Sequence, residues 1–159
     1  MVSATEVPYK RPESVLVVVY SRCGKVLMLR RVDHESFWQS VTGSLRWDEK
    51  RPDQAARREL AEETGLTSDY RLRDWHRQYR FTILPRWRHR YAPQVNTNTE
   101  HVFTAELVRP LPVILSAVEH SEYVWLPAPD AARRASSWSN REIITELATR
   151  LARPDRDGD

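Results

Sequence analysis

The stretch Pro52–Gly65 constrains this chain more than any other, because it admits little besides a helix. Pro52 suits a first helical turn, where its missing N–H leaves no bond unmade. Ala55, Ala56, Arg57, Arg58, Glu59, Leu60 and Ala61 all favour helix, and Gly65 is placed to end it. On either side the patterning changes to that of strands. Valine-rich Ser14–Tyr20 predicts a buried strand, Ser21–Lys25 a turn, and Val26–Arg30 the return strand of a hairpin. Phe37–Thr42 predicts a further short strand ending at Gly43, with a charged loop from Gly43 to Arg51. Beyond the helix, Tyr70–Thr82, Glu100–Val108 and Glu122–Leu126 read as strands, and Pro85–Thr99 as an irregular segment. Pro129–Ala135 predicts a short helix and Asn140–Ala152 a terminal one. No repeat or linker divides the chain, so the expectation is one mixed α/β domain over residues 1–152. Residues 1–11 read as an extended lead-in and 153–159 as a mobile tail.

The bulk properties narrow the function classes. Apolar residues make up 40% and charged residues 30% of the 159, the balance of an ordinary water-soluble fold. The apolar run Val15–Tyr20 is too short for a bilayer span or a secretory segment, which sets a cytoplasmic expectation and excludes a membrane partner. Cys23 is the only cysteine, so an internal disulfide and a cysteine-based zinc site are excluded; beside Gly24 it reads as a turn residue. Arginines 71, 73, 77, 80, 86, 88 and 90, with His76 and His89, face only one acid, Asp74, in the same stretch. Such a block attracts phosphate, on a small molecule or on a nucleic acid, although any single arginine in it reads as a solvated strand charge.

The helix carries a charge pattern that its own physics opposes. Glu59, Glu62 and Glu63 stand at i, i+3 and i+4 and so share one side. Like charges at that spacing repel by about 0.2–0.5 kcal/mol per pair, and Glu62 and Glu63 fall in the last turn, where the helix dipole disfavours anions. Arg58 can offset part of this by pairing with Glu62 at i+4. A divalent cation would offset more, and a carboxylate set without cysteine or histidine suits Mg²⁺ or Mn²⁺.

The residue order is more specific than the charge. Arg58, Glu59, Glu62, Glu63 and Gly65 fix five identities that chance would supply in roughly one of several thousand chains this long. Gly43, then Glu49, then Arg58-Glu59-Leu60-Ala61-Glu62-Glu63-Thr64-Gly65-Leu66 resembles the Nudix box. Eight residues separate Glu49 from Arg58, one more than the family pattern has, which places an insertion between Glu49 and Pro52 and leaves the role of Glu49 open. Further segments resemble the branch of that family that hydrolyses dihydroneopterin triphosphate in bacterial folate synthesis. They are Tyr9–Pro12, Phe37–Ser44, Arg88–Pro93, Asn98–Glu100 and Ser137–Arg141, in the same order along the chain.

The resemblance implies an α/β/α sandwich around a mixed sheet. It also implies Mg²⁺-dependent cleavage of a triphosphate between its α and β phosphorus atoms. By the same resemblance Glu59, Glu63 and Glu119 are the metal ligands, and Glu62 and Glu63 are the candidates for the general base. Lys10, Arg30, Thr42, the stretch Phe81, Thr82, Ile83 and Leu84, and Ser137 are implied as substrate contacts. Read from the residues alone, Ser137 equally caps the last helix, Phe81 equally packs in a core, and Trp38, Trp125 and Trp138 serve packing. Two competing readings accompany this one: a nucleoside triphosphate such as dATP in place of the pterin, and a non-enzymatic nucleic-acid binder using the arginine block with Trp75, Tyr79, Trp87 and Tyr91.

Overall fold

The computed structural model describes residues 9–153, so the calls on residues 1–8 and on 154–159 of the tail lie outside the described residues. Eleven of its elements are β1 (Glu13–Ser21), β2 (Lys25–Arg31), β3 (Trp38–Gln39), β4 (Val41–Ser44), α1 (Pro52–Thr64), β5 (Arg71–Thr82), the 3₁₀ turn Pro85–Arg90, β6 (Thr97–Leu107), β7 (His120–Pro127), α2 (Ala128–Arg134) and α3 (Trp138–Ala152). The strands form one mixed sheet in which β3-β2-β1-β6-β5 run side by side, β4 joins β1 and β7 joins β2. Only β1 and β6 pair in parallel, from Glu13↔Thr99 to Ser21↔Leu107.

Why β1 reads as an unbroken apolar run is now plain, since helices cover the sheet on both faces. Val15, Val17 and Val19 pack with Ala55, Ala56 and Leu60 of α1 on one face. Val18 packs on the other with Ala131 and Ala132 of α2 and Ile143, Ile144 and Leu147 of α3. The fold is therefore the expected α/β/α sandwich.

Along one edge β1 divides its hydrogen bonds between two partners. Its far end meets β2 at Tyr20↔Val26, while Ser14–Val17 pair with β4. The strands β2 and β4 must splay apart, and the ends of β2, β7 and α1 converge on the gap. The single strand expected over Phe37–Thr42 is accordingly two, broken at Ser40. There the backbone N–H of Ser40 donates to Asn140 Oδ1 (2.8 Å) and Asn140 Nδ2 to Ser40 Oγ (2.9 Å), a bond to α3 that a continuous ladder would forbid.

The segment expected to be irregular over Pro85–Thr99 holds a 3₁₀ turn, and its last three residues already belong to β6. Basic β5 is an edge strand, and its aromatics are used internally. Trp75 lies under Arg150 (4.0 Å to the ring centre), and Tyr79 meets Trp138 edge-on (5.1 Å). Among the described residues no helix is long and apolar enough to cross a membrane.

Candidate active site

Helix α1 places its three glutamates in three different environments. Gly65, in the left-handed region at φ 77°, ends the helix and returns its N–H to Ala61 O (3.0 Å). Glu59 and Glu63 face the sheet, with Glu63 only 1% exposed, whereas Glu62 points to solvent. Burial of a carboxylate without enough donors favours its neutral form. Glu59 is pushed up to about 7 by burial, against the pull of Arg58. Glu63 is raised well above the carboxylate range by burial, then by Glu59 and Glu119. Among the described residues the only backbone donor to Glu63 is Thr42 N–H, at 3.1 Å from Oε2.

Across the gap lies the turn before β7. Its backbone is fixed by Val32 N–H donating to Glu119 O (2.9 Å). His120, 2% exposed, points its Nδ1 to within 3.8 Å of Glu63 Oε1, and that nitrogen has no hydrogen-bond partner. Its Nε2 contacts Gln39 Nε2 at 3.1 Å. Burial, then the nearby Arg31, holds the imidazole down to about 4, so it is neutral at pH 7; with Gln39 Nε2 donating to its Nε2, the ring proton sits on Nδ1 and faces Glu63. One ligand atom each from Glu63, Glu119 and His120 all lie within 4.8 Å of one another. Two raised carboxyls beside a third, with an imidazole N–H facing them, supply the oxygen ligands that a divalent cation takes.

Arg58 organises the opposite wall. Nε and Nη2 donate to the two oxygens of Glu49, each at 2.9 Å, a bidentate pair. Nη1 donates to Glu59 Oε1 (2.7 Å) and Glu62 Oε2 (3.3 Å), and Nη2 also to Ser44 O (3.0 Å). Glu49 thus has a place despite the extra residue. Between Glu49 and Pro52, the N–H groups of Lys50 and Arg51 both donate to Gln54 Oε1 (2.8 and 3.0 Å). The i+4 pairing of Arg58 with Glu62 is present as well, so the two readings of the acidic face apply to different residues of it. Glu62 is paired with Arg58 and Arg46 and Glu59 with Arg58, while among the described residues Glu63 has no arginine partner.

Gly43 is required by close approach, since a Cβ there would overlap the Glu59 carboxyl. Gly43→Ala is expected to displace Glu59, to cost about 1–3 kcal/mol in urea unfolding, and to raise the metal concentration needed for half-maximal activity at least tenfold. Unchanged metal dependence would contradict the packing argument.

The remaining expected contacts are distributed around this centre. Lys10, half-buried and tied by its N–H to Arg90 O (2.8 Å), feels Glu59 and Glu119; burial and Arg90 hold its ammonium below the usual lysine value. Arg30 is drawn to β7, donating to Ser121 Oγ (3.1 Å) and pairing with Glu122 (3.2 Å). Its neighbour Arg31, which sequence reasoning passed over, is the arginine that senses Glu119 and Glu63. Asp33 holds it at 2.7 and 2.6 Å, and it lies over Phe37 and Trp87. The two face opposite ways from one strand, which spacing alone did not rank. Thr42 gives its hydroxyl to Val15 O (2.9 Å) and its N–H to Glu63, so it positions a carboxylate. Ser137 caps α3, accepting Asn140 N–H at 3.3 Å. Phe81 is half-buried, Ile83 buried, and Thr82 and Leu84 are exposed. His120 was also missed as a functional residue; its one signal was its place directly after Glu119.

The chain matches the NUDIX domain over residues 10–147. It is 45% identical over 148 residues to the dihydroneopterin triphosphate diphosphatase of Escherichia coli K12, covering 91% of this chain and 97% of that one. With the dihydroneopterin triphosphate diphosphatase of Haemophilus influenzae it shares 38% over 149 residues, covering 91% and 92%. The solved structure of the E. coli dihydroneopterin triphosphate pyrophosphohydrolase superposes with a TM-score of 0.83 at 43% identity, over 89% of this chain and 98% of that one. A glutamate-bearing helix matching the box, an α/β/α sandwich and these likenesses together place the chain in the Nudix family of pyrophosphohydrolases.

Proposed function

We propose that this chain hydrolyses dihydroneopterin triphosphate to dihydroneopterin monophosphate and pyrophosphate, with Mg²⁺ as cofactor and Mn²⁺ as a substitute. The observation that carries the chemistry is the cluster of buried Glu63 and His120 with exposed Glu119, and Glu59 beside it. What supports the substrate is the 45% identity to a relative that bears its name, over 97% of that relative's length.

Glu59, Glu63 and Glu119 would hold the cation, and His120, whose Nε2 accepts from Gln39, turns its Nδ1–H toward Glu63. Bound there, a divalent cation supplies positive charge to phosphate oxygens and acidifies water. Arg58 orients Glu59 and favours its ionised form against burial, and Thr42 N–H aims Glu63. Glu62 and Glu63 are the candidate bases. Glu63 sits among the ligands, and Glu62, on the solvent side, becomes available when Arg46 releases it. Lys10 offers a point charge to the phosphates. Arg30 can do so once it leaves Glu122. Phe81–Leu84 and Ser137 border the heterocycle.

Pyrophosphate release from dihydroneopterin triphosphate, dATP and dGTP, with Mg²⁺ and then with EDTA, tests the reading. The expected result is a kcat/KM for the pterin at least tenfold above that for dATP, abolished by the chelator. A preference for dATP would overturn the substrate; salt-steep oligonucleotide binding with no pyrophosphate release would overturn the enzyme reading altogether.

A further inference from the structure

On the sheet face away from α1, one row of side chains crosses four strands: Ser44 of β4, Ser14 of β1, Glu100 of β6 and Tyr79 of β5. Asn98 stands two residues from Glu100 on the same face, opposite Phe81. The floor of this row is dry. Asn98 is 3% exposed and Glu100 6%, and Ser14 and Ser139 are also buried. Around it Ser44, Phe81, Tyr91 and Ser137 are each partly exposed.

Hydrogen bonds within the floor leave two acceptors over. Ser139 Oγ, from the first turn of α3, donates to Glu100 Oε1 (2.8 Å), and Asn98 Nδ2 donates to Ser14 Oγ (2.8 Å). Among the described residues nothing donates to Glu100 Oε2, and Asn98 Oδ1 is buried without a partner. Burial pushes the Glu100 carboxyl up to about 7, against the Ser139 hydroxyl, and no cation or arginine answers it. A buried acceptor without a donor is costly, so Asn98 Oδ1, beside the free oxygen of Glu100, is tolerated where a ligand supplies the donors. The acid cluster lies at the α1 side of the same sheet. Two strand steps of about 4.8 Å lead from Glu100 to β4, where Thr42 N–H reaches Glu63.

We propose that Glu100 and Asn98 form a recognition site for the two adjacent N–H donors, ring N3–H and exocyclic 2-amino, of a 2-amino-4-oxo pyrimidine edge. The inference rests on the reading of the acid cluster as a triphosphate-cleaving centre. A pterin and a guanine share that edge. Adenine instead places one amino donor beside a ring acceptor, which an ionised carboxylate repels. The pair therefore determines which heterocycle is held while its phosphates reach the glutamates.

The test compares kcat/KM of wild type, Glu100→Gln and Ser139→Ala on dihydroneopterin triphosphate, dGTP and dATP. Glu100→Gln is expected to lose about 100-fold on the pterin and on dGTP while dATP changes less than about threefold. Ser139→Ala, which removes only the contact to α3, should alter all three alike and by little. Equal losses on all three substrates in Glu100→Gln, or the same selective loss in Ser139→Ala, would overturn the proposal. Wild-type protein gives an independent reading should the variant fail to fold. Neopterin should inhibit at least about 30-fold better than the same ring with hydrogen in place of the 2-amino group, and equal inhibition would overturn the proposal. If wild type prefers dGTP to the pterin and Glu100→Gln still loses dGTP selectively, the pterin assignment fails and the edge recognition stands.

Discussion

Glu63→Gln is expected to fold normally and to lose pyrophosphate release by at least about 10³-fold. Glutamine keeps the volume and can still accept Thr42 N–H, so packing is preserved. What disappears is the negative charge that a cation needs, at a position 1% exposed where no other anion can enter. The same substitution reports on stability. Glu59 and Glu63 are both raised in the folded protein, Glu59 to about 7. Their contribution is therefore favourable below the ordinary carboxylate value and is lost as pH rises through the raised one. Metal-free wild type should unfold at a lower temperature at pH 8 than at pH 5. Glu63→Gln should lose less over that interval, and Mg²⁺ should raise Tm at pH 8 for wild type alone. Thermal scans in EDTA and in Mg²⁺ read both effects; a variant that keeps turnover within tenfold would remove Glu63 from the reaction.

The largest loss of stability is expected from Arg58→Ala, on the order of 3–5 kcal/mol in urea unfolding. Its guanidinium joins Glu49, Glu59, Glu62 and the carbonyl of Ser44, and the Glu49 and Glu59 side chains are only 12% and 10% exposed. Deleting it leaves two enclosed carboxyls without their main donor. The depressed Glu49, held down chiefly by Arg58, adds stability above its unfolded value that is lost as pH falls. The penalty of Arg58→Ala should accordingly shrink toward pH 4. Arg58→Lys should recover part of the loss only, because an ammonium cannot make the bidentate pair. Glu62→Gln should cost under about 1 kcal/mol, its own side chain being 46% exposed. A cost for Arg58→Ala no greater than that of Glu62→Gln would show that the guanidinium does not hold this wall together.

Much of this architecture was legible because local and global signals agreed. The helix Pro52–Thr64 begins at the proline and ends before the glycine that the sequence singles out, and the valine run of β1 marks a strand buried on two faces. The metal-binding expectation was legible too, since α1 puts three like charges where a helix alone disfavours them. Less could be read where function depends on residues far apart in sequence. His120 and Glu63 are 57 positions apart, and only the splay of β2 from β4 brings them together. Arg30 and Arg31 are adjacent and chemically alike, and which one turns toward the glutamates is decided by a register shift between them. The break at Ser40 likewise depends on Asn140, one hundred residues on. Asn98–Glu100 stood out only as a segment of the resemblance, because the isolation of Glu100 from any cation is a property of the packed interior.

The most direct test of the account is a crystal of this protein grown with Mn²⁺ and a non-hydrolysable pterin or nucleoside triphosphate, measured at the manganese absorption edge. An anomalous peak bounded by the carboxyls of Glu59, Glu63 and Glu119 is the predicted result, with His120 Nδ1 within hydrogen-bonding reach of Glu63. Ordered phosphates with no peak beside residues 59–63, or a peak elsewhere on the chain, would contradict the claim that these glutamates are buried in order to hold a cation.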